Sequence, residues 1–120
     1  MVGTDGLFSG STRLSHPRHF GSFPRYLGRF VRDMGILPFE EGIRRITSMP
    51  AQRYKLEGKG LIKEGYDADL VLFDENTIID HSDYLDPFIP NEGIKMVFVG
   101  GGVAVKDNIY TGLHNGKLLR

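Results

Sequence analysis

The spacing of apolar positions changes along the chain and divides it. Over 22–34, Leu27, Phe30, Val31 and Met34 recur at three- and four-residue intervals, which predicts one buried helix face. Ser22 stands where an N-cap belongs, Pro24 falls in the first turn, and Gly35 supplies a stop. Arg25, Arg29, Arg32 and Asp33 lie mostly off the apolar stripe. A second helix is predicted over 38–48, with Phe39, Ile43 and Ile46 on its apolar face. Glu40 and Glu41 open it and Arg44 and Arg45 follow, the order a helix dipole favours. Gly42 weakens it by about 1 kcal/mol relative to Ala. Ser48 is expected to cap a short third helix, with Pro50 in its first turn and Gly58 near its end. After Gly60 the pattern becomes short apolar runs. Strands are predicted over 69–74, 94–99 and 103–105, with Gly100-Gly101 as the hairpin between the last two. Residues 108–116 are turn-rich, and a last short strand is expected over 117–120. Residues 1–21 follow neither period and read as a loop, opened by Met1-Val2-Gly3 as the stub of a strand. Loop, helices and then strands imply an α+β class or parts of two domains.

Composition narrows the functions open to such a chain. Its 120 residues are one small domain's worth, with 15 basic and 15 acidic side chains. A net charge of zero argues against electrostatic nucleic-acid binding, which needs a Lys/Arg excess, and against a polybasic membrane anchor. No apolar run approaches the roughly 20 residues that span a bilayer, and the first ten residues lack the pattern of a signal peptide. With no Cys, disulfides and thiolate chemistry are excluded within the chain, and a reducing, cytoplasmic setting is expected. An opening polar loop of the form Gly3-Thr4-Asp5-Gly6 is unusual for a free-standing protein, so a piece of a larger chain is expected.

Two places carry candidate chemistry. Asp5 follows the strand stub, where a carboxylate serves as a general base or a metal ligand. The commoner use of such an Asp is to close a turn with its own side chain. His16-Pro17-Arg18-His19 places two imidazoles and a guanidinium in one extended segment. Arg18 has the planar fork that matches a carboxylate, whereas His16 and His19 lack the spacing of a helical metal pair. On spacing alone a solvated polar loop is the better reading of this segment. Gly100-Gly101-Gly102 lacks the Gly-Lys-Ser/Thr ending and the helix of a phosphate loop. The alternating charges of 55–63 read as a solvated connection.

Two longer stretches change the weighting. Gly60-Leu61-Ile62-Lys63-Glu64-Gly65-Tyr66-Asp67-Ala68-Asp69-Leu70-Val71-Leu72-Phe73-Asp74 resembles the G-x-I-x-x-G-x-x-A-D-L-V-x-F-D segment near the end of amidohydrolase-superfamily enzymes. His16-Pro17-Arg18-His19-Phe20-Gly21-Ser22-Phe23-Pro24-Arg25, preceded by Gly3-Thr4-Asp5-Gly6, is more specific. It resembles the C-terminal part of N-acyl-D-amino-acid deacylases. The likeness continues through Thr47-Ser48-Met49-Pro50-Ala51, Asp86-Pro87 and Glu92-Gly93-Ile94 to Gly116-Lys117-Leu118-Leu119-Arg120. Departures are a slightly long loop between Asp5 and His16, and Gly42 and Gly102 where members commonly carry Ala and a β-branched residue.

The resemblance implies a much longer parent, with a metal-bearing (β/α)8 barrel and a small β-sandwich domain built from both chain ends. On that reading, 1–58 is the end of the barrel, with its active-site loop and helices, and 59–120 is the C-terminal part of the β-domain. Zinc would be the cofactor of the full-length enzyme. Its main ligands would lie upstream, so none is expected tightly bound to this chain, and the chain alone is expected to be inactive. Asp5 matches the family's acid–base residue, and could add an oxygen to a second metal. Arg18 matches the residue that holds the substrate α-carboxylate. His16 and His19 receive no role. The implied reaction hydrolyses a small-molecule N-acyl-D-amino acid to a D-amino acid and a carboxylate, with no nucleic-acid or membrane partner. The alternatives are another amidohydrolase acting on cyclic amides (dihydroorotase- or hydantoinase-like) and a non-catalytic binding module derived from such a tail. Too few strands are present for a closed barrel or sandwich, so the fragment is expected to self-associate through open edges.

Overall fold

Helical winding starts at Pro17, whose ring-fixed backbone (φ −52°, ψ −27°) already has helical geometry. Helix α1 (Arg18–Arg25) runs without a break into a π-wound stretch, Tyr26–Asp33. The computed structural model describes residues 1–6 and 15–119, an α+β arrangement with one four-stranded antiparallel sheet. The helix therefore begins four residues before the predicted Ser22 cap. Ser22 lies in its interior, where its Oγ donates to the Arg18 carbonyl at 2.6 Å. Pro24 sits well inside the helix and is buried. The wider π winding, with Met34 N–H bonding the Arg29 carbonyl at 3.0 Å, also departs from the 3.6-residue repeat. Tyr26, Leu27 and Val31 are buried as a result, while Phe30 and Met34 of the predicted stripe are exposed.

Helices α2 (Phe39–Ile46) and α3 (Ser48–Arg53) follow close to their predicted places, with Pro38 and Thr47 at the N-cap positions. Gly42 lets α2 pack on Val31, since a Cβ there would meet both Val31 methyls at 3.0 Å. The core gathers Tyr26, Leu27, Val31 and Ile78, with Leu37, Phe39, Ile43, Phe73 and Ile94 packed around them. Val2 packs on the same cluster, but residues 1–6 form no strand.

The sheet is a meander of β1 (Leu70–Phe73), β2 (Ile94–Val99), β3 (Gly102–Lys106) and β4 (Ile109–Tyr110). Gly100 and Gly101, both at positive φ, make the predicted two-residue hairpin. Asp107 and Asn108 adopt φ of 49° and 64° and make a second one, which pairs Lys106 with Ile109. The last strand thus lies at 109–110, and residues 117–119 form none. Asp69 of the Ala-Asp-Leu motif staples this sheet to the preceding connection. Its carboxylate accepts from Gly100 N–H at 2.8 Å and pairs with Lys59, which also reaches Asp67 at 2.9 Å. The Lys59 ammonium, then the Gly100 amide, hold the Asp69 carboxyl below the usual carboxylate range. Residues 55–63 are therefore a pinned connection, with Lys59 mostly enclosed.

Candidate active site

The N-terminus of α1 forms one wall of the site. His16 Nδ1 accepts the Arg18 backbone N–H at 3.1 Å, which satisfies an amide that the first turn leaves free. His16, Pro17, Arg18 and His19 are thus a helix start, not the extended segment expected from sequence. The Arg18 side chain leaves this turn toward Asp5, with Nη2 3.4 Å from Oδ2. Asp5 has φ +49°, the left-handed region that Asp tolerates better than most side chains, and its carboxylate is almost fully exposed. Gly6 lies against His19, where a Cβ would stand 3.1 Å from the imidazole. The loop that follows Asp5, with its extra length, lies outside the described residues. Such an exposed ion pair contributes little stability. What it establishes is that the two candidate residues converge. Arg18 Nε is buried without an acceptor among the described residues.

The opposite wall comes from beyond β1. Asp80, its side chain 3% exposed, accepts from Arg25 Nε at 2.9 Å and pairs with Arg25 Nη2 at 2.8 Å. That hydrogen bond raises the Arg25 pKa above its ordinary value. Gly21 makes the approach available, since a Cβ there would fall 2.6 Å from Asp80 Oδ2. Seven residues further, Gly28 lies directly against the Ile78 carbonyl, and Arg32 Nη1 donates to the same oxygen at 2.9 Å. Gly21, Arg25, Gly28 and Arg32 therefore form a second helix face that clasps residues 75–82. Beyond Asp80, Tyr84 Oη lies 3.1 Å from His16 Nε2, with the two rings edge-on at 5.0 Å. Between the walls is a cleft of about 230 Å³ lined by His16, Arg18, Arg25, Asp80, Ser82 and Tyr84. Sequence reading missed Arg25, Asp80 and Tyr84 because their partners are 55 and 68 residues away and no local period marks them.

Among the described residues, no three His, Asp or Glu side chains gather as a metal cage. No described helix is long and apolar enough to cross a membrane.

The sequence profile of the amidohydrolase family matches residues 1–105. The chain belongs to the amidohydrolase family. Within it, the chain is 39% identical over 119 residues to D-aminoacylase from Alcaligenes xylosoxydans xylosoxydans, covering 99% of this chain and 24% of that protein. A solved D-aminoacylase, described through its binuclear metal center, is 38% identical and superposes with a TM-score of 0.93, over 99% of this chain and 25% of the other. N-acyl-D-glutamate deacylase from Bordetella bronchiseptica, solved with zinc and a phosphonate inhibitor, is 36% identical with a TM-score of 0.82, over 87% and 22%. The chain thus spans about a quarter of the length of these relatives.

Proposed function

We propose that this chain is the C-terminal part of a zinc-dependent deacylase that hydrolyses N-acyl-D-amino acids to a D-amino acid and a carboxylate. Residues 1–58 close its barrel, and residues 59–120 belong to a small β-domain. Asp5 accepts a proton from the attacking water and then gives it to the departing amine nitrogen. Arg18 holds the substrate α-carboxylate through its planar fork.

The observation that carries this reading is the 3.4 Å approach of Arg18 to Asp5. In an N-acyl amino acid the scissile nitrogen and the carboxylate hang on the same carbon. A residue that protonates the first and a residue that binds the second must therefore stand within a few ångströms of each other. The D-aminoacylases and the N-acyl-D-glutamate deacylase among the relatives support the substrate class. Zinc, when bound, makes water acidic enough to ionise near neutral pH. The described residues do not assemble a zinc site, so the metal enters through the relatives and Asp5 offers at most one oxygen to it.

The test is Arg18→Ala in a full-length deacylase carrying this segment, assayed on an N-acyl-D-amino acid and on its carboxamide. The unaltered enzyme should strongly prefer the free acid and the variant should lose most of that preference, mainly through KM. A preference that survives the substitution removes Arg18 as the clamp.

A further inference from the structure

We propose that His16 and Tyr84 are positioning residues for the Arg18 clamp, so that the loop following β1 sets how well the site holds a substrate carboxylate. The proposal rests on the reading of Arg18 given above. It starts from the amide of Arg18, which donates to His16 Nδ1. An imidazole that accepts at Nδ1 carries its proton on Nε2 when neutral, and Nε2 faces the Tyr84 hydroxyl at 3.1 Å. Tyr84 Oη thus fixes the ring, and the ring fixes the backbone from which the Arg18 side chain departs.

Tyr84 is itself held. Asp83 Oδ1 accepts from the amides of Leu85 at 2.8 Å and Asp86 at 2.7 Å, and Asp83 N–H bonds the Asp86 carbonyl at 3.1 Å. This closed turn carries Tyr84 at its tip. Its base is anchored on α1 by the Asp80–Arg25 pair, and its far end by Asn91, whose Nδ2 donates to the Phe20 carbonyl at 3.0 Å. Phe88 packs on Phe20 with ring centroids 5.0 Å apart. The hydroxyl of an otherwise exposed Tyr84 is therefore delivered to His16 by a loop docked at several points. His16 bonds the amide of the clamp directly, and Tyr84 acts on it through His16.

The test uses a full-length deacylase carrying this segment and the ratio of kcat/KM for an N-acyl-D-amino acid to that for its carboxamide. His16→Ala should lower the ratio about two- to tenfold, the range one hydrogen bond commands. The loss should fall mainly on KM for the acid and be smaller for the carboxamide. His16→Asn should recover most of it, because an Asn side-chain oxygen accepts from the amide two residues on. Tyr84→Phe, which keeps the ring contact, should give a smaller loss in the same direction. If His16→Ala lowers both substrates equally, the pair is merely structural and the proposal fails. It fails alone if Arg18→Ala abolishes the preference while His16→Ala and Tyr84→Phe retain it. If Arg18→Ala itself retains the preference, the clamp reading falls and this one with it. Thermal unfolding of each variant separates loss of fold from loss of positioning.

Discussion

Glu41 is held by two guanidinium groups of its own helix. Its carboxylate takes Arg44 Nε at 2.6 Å and Arg45 Nε at 2.9 Å, one turn along α2. The Arg44 hydrogen bond first, and then that of Arg45, pull its pKa from 4.5 to about 2. A carboxyl depressed in the folded state contributes stability above its unfolded value and loses it as pH falls through the folded one. The window therefore runs from 4.5 down to about 2. Glu41→Gln should lower Tm slightly at neutral pH, and the gap to the unaltered chain should close across that window. A gap independent of pH would show that these ion pairs contribute nothing. The order of acidic and basic residues in this helix was legible because helix neighbours are set by local spacing. Arg18 and Asp5 stood out as candidates by residue type, and only the resemblance gave them their proposed roles. Nothing in a 13-residue separation states that a guanidinium and a carboxylate meet.

At the scale of the element, the 18–33 helix is governed by what it clasps. Of its predicted apolar stripe, Leu27 and Val31 are buried but Phe30 and Met34 are not, and the polar face of Arg25 and Arg32 was not readable, since those groups bond residues 75–82. The early start was missed for a related reason: the cap is the imidazole of His16, two residues ahead of the amide it serves, and Ser22 has the composition of a cap without its place. Gly28 gives a sharp test of the clasp. A Cβ there would fall 2.0 Å from the Ile78 carbonyl oxygen, whereas at Gly116 it would meet nothing within 4 Å. Gly28→Ala should destabilise by about 3 kcal/mol, the upper end for overpacking. Gly116→Ala should be near neutral. Urea unfolding of the two variants checks this, and equal midpoints would mean that helix and loop are not packed as described. The β-hairpins divide in the same way. Gly100-Gly101 announces its turn, while Asp107-Asn108 sits in a polar run that reads as irregular until both residues are found at positive φ.

At the scale of the whole molecule, the sheet leaves Val71, Leu72, Ile109 and Tyr110 exposed, together with Leu118 and Leu119 beyond it. Four strands in a meander leave β1 and β4 as open edges among the described residues. The chain on its own should therefore self-associate, and its mass by light scattering should rise with concentration. A constant monomer mass would contradict this. The same chain should hold no zinc through extensive dialysis, because its described side chains form no cage. One tightly held zinc per chain would count against the division of labour proposed for the site. The central claim is that, in the proposed deacylase, this segment brings the proton-transferring group to the reaction as well as the clamp. Asp5→Asn in a full-length enzyme carrying the segment tests it most directly, because Asn keeps the size of Asp and cannot accept the proton. Steady-state kinetics should show kcat lower by about 10²–10⁴ with KM and the preference for the free acid little changed. A variant that keeps its kcat would contradict the account.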